Sequence, residues 1–350
     1  AGVHRLRSAG VIADLRCPQP VSGAMDGIAD RIWTPGSDLV IAVDGEGARH
    51  IVEIAPAYAE DERPEQGSPR TDGPRRGDRR RDEQRGGAGR VDDRRDTAGR
   101  RGAPGRAGAA GSGGRAGAER GERDRPGRGV RGDDRGDRRG AAARRAAAHA
   151  PRTERVIEGS GRAVEYVAGR RWEVSATGFW QAHRGAAQWY SDIVAEWADP
   201  SPGDRAWDLY CGAGVFAGRL AEAVGPTGAV HGVESSGGAV TDGIAVLRDM
   251  PWVMLSAQRV ERWIERSAGA APDVVVLDPP RAGAGKAVLT PLTAAAPARI
   301  VHIGCDPAAF ARDIGLYRAC GYIPTRLRAF DAFPGTHHVE CLALLEPIGH

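Results

Sequence analysis

No stretch of this 350-residue chain reaches 18 consecutive apolar residues, so no membrane-spanning helix is expected. No signal-peptide core stands at the N-terminus. The chain begins at Ala1 rather than Met, as if cut from a longer protein. The five cysteines are Cys17, Cys211, Cys305, Cys320 and Cys341. They form no CxxC pair and are odd in number, which argues against a disulfide framework and for reduced thiols in the cytoplasm. Lysine is nearly missing: Lys286 stands alone against 48 Arg, a bias that fits GC-rich coding.

The poorest region is 61–150, which holds no Leu, Ile, Phe, Tyr, Trp, Met or Lys. With so little apolar surface to bury, it cannot offset its chain entropy, and disorder is predicted. It carries 25 Arg and 16 Asp plus Glu, a net of +9 in a chain whose total is +3. The remainder is therefore mildly acidic, at −6. The basic charge belongs to this segment and is not evidence that the folded part binds nucleic acid. The segment reads as an Arg arm for RNA phosphates, as a solvated linker, or as an out-of-frame stretch.

Three parts follow: a partial β-rich piece over 1–58, a low-complexity Arg/Gly segment over 59–152, and a globular domain over 153–350. In the first, Val11–Leu15, Leu39–Val43 and His50–Ile54 are strand-like, the last two flanking the turn signal Asp44-Gly45-Glu46-Gly47. In the third, Val164–Val167 and Arg171–Val174 suggest a hairpin, and a helix is predicted over 186–197. Strands are then predicted at 206–210, 229–234, 252–255, 274–278, 300–304, 326–330 and 339–345. Between them fall helices at 215–224, 238–248, 260–267, 286–295 and 308–319. This alternation predicts a Rossmann-like α/β fold, a mostly parallel seven-stranded sheet covered on both faces. No helix separates the last two strands, so they pair antiparallel.

Chemistry concentrates at strand ends. Asp208-Leu209-Tyr210-Cys211-Gly212-Ala213-Gly214 lies between a strand and a helix, and Glu234 ends the next strand 20 residues after Gly214. Gly212 and Gly214 permit close approach of a ligand, and Glu234 can accept both hydroxyls of a ribose. The plainer reading is a tight turn with a solvated Glu. Asp278-Pro279-Pro280-Arg281 closes a buried strand and aims Asp278 either at a base edge or at a helix N-terminus. Cys305 follows a strand and precedes Pro307, a first-turn helix residue. A thiol near a helix N-terminus is expected to have a lowered pKa; the alternative is a small buried hydrophobe. Cys211 is expected to pack beneath the glycine turn. In an extended run only His338 and Glu340 share a face, so His337, His338 and Glu340 are not expected to form a metal site.

These blocks carry a resemblance. Gly178-Phe179-Trp180-Gln181, Trp207 through Gly214, Gly232-Val233-Glu234-Ser235, Leu277 through Arg281, Cys305-Asp306-Pro307 with Ala311-Arg312-Asp313, and Asp331 through Glu340 resemble the RNA uracil-5 methyltransferases. His4-Arg5, Ser8 and Cys17-Pro18 resemble part of that family's central domain. The resemblance implies a class I methyltransferase fold and S-adenosyl-L-methionine as methyl donor. It implies that Gln181, Tyr210, Glu234 and Asp278 contact the donor or the target base, with Cys305 the nucleophile and Glu340 the base. It further implies methylation of uridine in structured RNA; ribosomal is expected ahead of transfer RNA, and the protein is expected to be a monomer without a metal. Four positions depart from the family pattern: Val215, Val246, Asp306 and His183 each stand where Asn is usual. Cys17 occupies the place of a fourth iron–sulfur cluster cysteine whose three partners this chain lacks. An inactive RNA-binding remnant and a methyltransferase for another substrate are the rival readings.

Overall fold

The computed structural model describes residues 3–4, 11–12, 19–56, 152–267 and 271–349. The Arg/Gly segment, Cys17 and the His4-Arg5 and Ser8 blocks lie wholly or partly outside these residues, so the expectations placed on them are not taken further. Two short strands, β1 (Val3–His4) and β2 (Val11–Ile12), pair antiparallel.

The turn signal at Asp44 produces the predicted hairpin of β3 (Asp38–Val43) and β4 (Arg49–Pro56). A third strand, β5 (Arg152–Glu158), then adds antiparallel to β4, with Pro56 opposite Arg152. This strand was not expected, and it crosses the division drawn between 1–58 and 153–350. The described residues on the two sides of that division form one compact unit. Ion pairs hold the sheet together across that gap. Arg155 donates to Glu53 at 2.6 Å, and Arg49 and Arg31 donate to Glu158 at 2.7 and 2.6 Å. The hairpin β6 (Arg162–Val167) and β7 (Arg170–Ser175) follows as predicted.

Beyond it lies the seven-stranded sheet. Its strands are β8 (Arg205–Leu209), β9 (Ala229–Glu234), β10 (Val253–Ala257), β11 (Val274–Leu277), β12 (Arg299–Gly304), β13 (Tyr322–Phe330) and β14 (Glu340–Pro347). Their order is β10-β9-β8-β11-β12-β14-β13, parallel except that β14 runs antiparallel to both its neighbours. This is the expected class I methyltransferase arrangement. Edge strand β13 starts earlier than predicted and tolerates Pro324 because the register slips there.

Among the described residues six helices cover the sheet: α1 (Ala186–Ala198), α2 (Val215–Val224), α3 (Gly237–Val246), α4 (Val260–Arg266), α5 (Gly285–Ala294) and α6 (Pro307–Ala319). Alternate residues of the buried strands split between two cores. Val274, Val276, Val301, Ile303, Leu342 and Leu344 pack with Tyr190 of α1 and Leu220 of α2. Val275, Leu277, Ile300, Ala343 and Leu345 pack with Ile264 of α4, Leu289 of α5 and Tyr317 of α6. This period of two assigns a face to every residue that extends these strands. No helix among the described residues is long and apolar enough to cross a membrane.

Candidate active site

Register alone gathers the expected side chains. Leu209 pairs with Val233 on one side and Leu277 on the other, so the next residues, Tyr210, Glu234 and Asp278, end adjacent strands. Leu277 also pairs with His302, and Gly304 with Cys341. One step past that last pair, Cys305 faces Glu340. All these residues sit at the carboxyl ends of the parallel strands, where open α/β sheets hold ligands. Asp278, Cys305 and Glu340 share parity with Val276, Ile303 and Leu342, so they project to the face covered by α1 and α2.

A cavity of about 610 Å³ opens at this edge. Gln181, Tyr210, Gly212, Glu234, Asp278, Cys305 and Glu340 line it. Of the residues expected in the site, Gly214 alone is not in the wall. It caps α2 with φ +86°, and a Cβ there would press on Leu247 and Leu255 at 3.3 Å. Its absent side chain serves the turn and the packing beneath it. At Gly212, φ +55°, an added Cβ meets nothing within 4 Å. That open space is room for a ligand beside the backbone.

Glu234 is held by three donors. Its Oε1 accepts from the Ser236 amide at 2.7 Å and the Ser235 hydroxyl at 2.9 Å, and its Oε2 from the Gly212 amide at 3.3 Å. The Gly212 bond ties the acid to the glycine turn, so both present themselves to one ligand. A carboxylate has about four acceptor positions, so a ligand diol either shares the last or displaces the Ser235 hydroxyl. Asp278 accepts from Gln181 Nε2 at 3.1 Å. The helix N-cap alternative for Asp278 does not hold, since its carboxylate is engaged by a side chain from another segment.

The electrostatics depart from expectation at Cys305. Its thiol pKa is raised, not lowered, by partial burial and by the nearby carboxyls of Glu340 and Asp278; Arg281 opposes the rise. The helix N-terminus that the sequence offers is real, but Asp306 already caps it, accepting from the Ala309 amide at 2.8 Å. Burial also raises Asp278 to about 7, against the hydrogen bond from Gln181. It raises Glu340, only 2% exposed, to about 8, with Asp278 adding to the rise. Three acidic groups thus share a small volume with one exposed guanidinium, and each neutral form is favoured. Cys211 lies buried under the glycine turn as expected, its thiol pushed up by the same desolvation.

The run before Glu340 is not extended. A turn from Phe333 to Thr336, closed at 3.1 Å, brings the rings of His337 and His338 to 4.1 Å. Asp306 joins them, with one ligand atom from each of the three within 4.8 Å. This overturns the reason given for excluding a metal there, which assumed a strand. Ligand atoms about a single ion lie closer, near 3–3.5 Å for bonds of about 2.1 Å.

Some contributors were not picked out in advance. His338 lines the cavity, and its Nδ1 lies 3.3 Å from the Cys305 carbonyl oxygen, bridging the two halves of the site. Arg281 lines it as well, and its place in the Asp278–Arg281 block was the available signal. Phe179 stands at the cavity with 72% of its surface exposed. Behind the wall, Asp313 accepts from the Ala284 amide at 2.7 Å and Arg312 donates to the Ala282 carbonyl at 2.6 Å. These bonds hold the loop that follows Arg281, which gives the Arg312-Asp313 block its physical reason.

A family model described as tRNA (uracil-5-)-methyltransferase matches residues 266–348. A relative from Corynebacterium efficiens, described as an uncharacterized RNA methyltransferase, is 41% identical, covering 98% of this chain and 62% of its own length. One of the same description from Streptomyces avermitilis is 47% identical over 51% of this chain and 41% of its own. The chain thus spans about half the length of the curated relatives it matches. Among solved structures, the Pyrococcus abyssi tRNA (uracil-54, C5)-methyltransferase in complex with S-adenosyl-L-homocysteine is 26% identical. Its TM-score is 0.46, and the match covers 55% of this chain and 45% of that one. The matched region holds Asp278, Cys305 and Glu340, and over it the chain is similar to the tRNA (uracil-5-)-methyltransferases.

Proposed function

We propose that this protein transfers a methyl group from S-adenosyl-L-methionine to carbon 5 of a uridine in structured RNA. The observation that carries the reading is the meeting of Cys305 and Glu340 one step past the Gly304–Cys341 pair that ends the β12–β14 ladder, both in the wall of a cavity that Asp278 also lines. Glu234 and the Gly212 backbone suit the ribose and adenosine side of the donor, and Gln181, Tyr210 and Asp278 suit its amino-acid end or the target base. When bound, the donor supplies an electrophilic methyl group on a sulfonium.

The residues of the chain supply the rest. Carbon 5 of uracil is a weak nucleophile. Addition of the Cys305 thiolate at carbon 6 converts the ring to an enolate and makes carbon 5 nucleophilic. After methylation, carbon 5 carries one proton too many. Glu340 takes that proton, and the Cys305–carbon 6 bond breaks to restore the double bond and the thiolate. A carboxyl group with a pKa near 8 is a better proton acceptor at neutral pH than one near 4, provided it is ionised when the proton arrives. The sulfonium charge beside Asp278 and Glu340 favours that ionised state. The target base must leave its stack to reach Cys305.

Incubation with radiolabelled S-adenosyl-L-methionine and RNA lacking 5-methyluridine, followed by nucleoside analysis, tests the reading. Label in 5-methyluridine is expected, ribosomal RNA ahead of transfer RNA. Label in another nucleoside, or none while the donor still binds, overturns it.

A further inference from the structure

Tyr190 of α1 has no surface exposed, and its hydroxyl has no hydrogen-bond partner among the described residues. A buried hydroxyl without a partner is costly, on the order of 1–3 kcal/mol, and calls for an explanation. A Phe would fill the same space without that penalty. The surroundings of the ring supply the explanation.

Tyr190 belongs to the core on the α1 and α2 face of the sheet, the face to which Asp278, Cys305 and Glu340 project. Its ring packs on Phe330 at 5.5 Å between centroids, tilted by 59°. Phe330 is the register partner of Glu340 across β13 and β14, and directly opposed residues carry their side chains on one face about 5 Å apart. Tyr190 therefore rests on the residue beside the base. Burial raises the pKa of its hydroxyl, and the groups that add to the rise are Glu340 first, then Asp278 and Cys305. Every ionisable group near this hydroxyl is thus one assigned to the reaction.

Resting on the function proposed above, we infer that Tyr190 is a positioning residue for the base, its hydroxyl donating a hydrogen bond to the Glu340 carboxylate when that group is ionised. The hydroxyl keeps its own proton throughout. Its bond holds the carboxylate in one orientation and favours the ionised form. When Glu340 takes the carbon 5 proton, the acceptor loses its charge and the bond weakens. The groups that face Glu340 are Tyr190 from α1, Asp278 at the end of β11 and Cys305 at the end of β12, with Arg281 farther along the cavity wall. Among them Tyr190 is the neutral donor, and Asp278 and Cys305 are acids that oppose ionisation.

The test compares wild type, Tyr190→Phe and Glu340→Gln. In the first arm, kcat for 5-methyluridine formation is followed from pH 6 to 9. Glu340 acts ionised, so the rate rises with pH through its pKa. Losing a donor to the carboxylate destabilises the ionised form, so Tyr190→Phe moves that rise to higher pH. A charge-assisted hydrogen bond of about 1.5–3 kcal/mol corresponds to a displacement of about one to two pH units. The expected outcome is that displacement, with kcat reduced about tenfold at pH 7 and KM for RNA unchanged within about threefold. In the second arm, carbon-13 NMR of glutamate side-chain carboxyls follows the titration that vanishes in Glu340→Gln. That titration is expected to move upward in Tyr190→Phe whether or not the enzyme turns over. If wild type makes no 5-methyluridine but the titration moves, the function fails and the contact stands. An unmoved titration and an unmoved rate profile in a folded Tyr190→Phe protein overturn the inference.

Discussion

Two groups of buried acids in this molecule have opposite fates. In the three-stranded sheet, Glu53 has no exposed surface, and burial alone raises its pKa. The hydrogen bond from Arg155, with those from the Thr34 amide and the Ser37 hydroxyl, outweighs that and leaves the carboxyl below its usual range. Asp44 behaves alike: burial is overcome by bonds from the Val164 amide, His50 and the Ala48 and Glu46 amides. At the carboxyl end of the seven-stranded sheet, Glu340 and Asp278 are enclosed with no guanidinium on either, and both rise, to about 8 and about 7. Acids that join strands come with their donors. Acids that line the cavity are left short of them, and that shortage favours their neutral forms and brings their titration close to neutral pH.

The comparison can be broken or sharpened at several points, from the largest effect to the smallest. Cys305→Ala should reduce 5-methyluridine formation by at least about 10⁴-fold, while equilibrium dialysis finds donor binding within a few-fold of wild type. Loss of both would make Cys305 part of the packing. Glu340→Gln should lower turnover by roughly 10²–10⁴-fold and accumulate an RNA–protein adduct that survives denaturing electrophoresis. Without any adduct, proton removal belongs to another group.

On the structural side, Glu53→Ala should lower stability by about 2–3 kcal/mol in urea titrations at pH 7, because it strips the acceptor from the Thr34 amide and the Ser37 hydroxyl as well as from Arg155. A lowered carboxyl pKa stabilises above the unfolded value and fades as pH falls through the folded value. The penalty should therefore shrink in acid. Asp278→Asn should act with the opposite sign. A raised carboxyl pKa stabilises below the unfolded value and is lost as pH rises through the folded value, here from about 4 to about 7. The variant should melt a few degrees above wild type at pH 8, for a gain of about 1 kcal/mol, and level with it at pH 4. Equal shifts at both pH values would mean that the carboxyl is not held protonated.

Much of the doubly wound domain was legible because the elements obey local rules. Helix α2 and strand β9 fall at the residues that pattern and glycine placement predict. Strand β11, Val274–Leu277, is buried throughout, as an uninterrupted β-branched run in a parallel sheet should be. The site residues were legible because parallel strands deliver their carboxyl ends to one edge.

What escaped depends on distant neighbours. Strand β5, reading Arg-Thr-Glu-Arg-Val-Ile-Glu, is mostly exposed and lacks an apolar alternation; its partner lies about a hundred positions earlier. The rise at Cys305 comes from burial first and then from Glu340 and Asp278, which lie 35 and 27 positions away, and local sequence shows only the helix that follows. The chain contains no Asn at all, so each of the four Asn positions of the family pattern is filled by another residue. At one of them, Asp306 performs the helix-capping task as a carboxylate.

Strand β14 follows the other six strands of its sheet in sequence, yet it slots between β12 and β13, and its first residue is Glu340. During synthesis Cys305 therefore leaves the ribosome 35 residues ahead of Glu340. A nascent chain, or a proteolytic product ending before residue 340, would carry Cys305 at an open sheet edge with nothing opposite it. Placing Glu340 at the start of β14 thus makes closure of the sheet the condition for assembling the site.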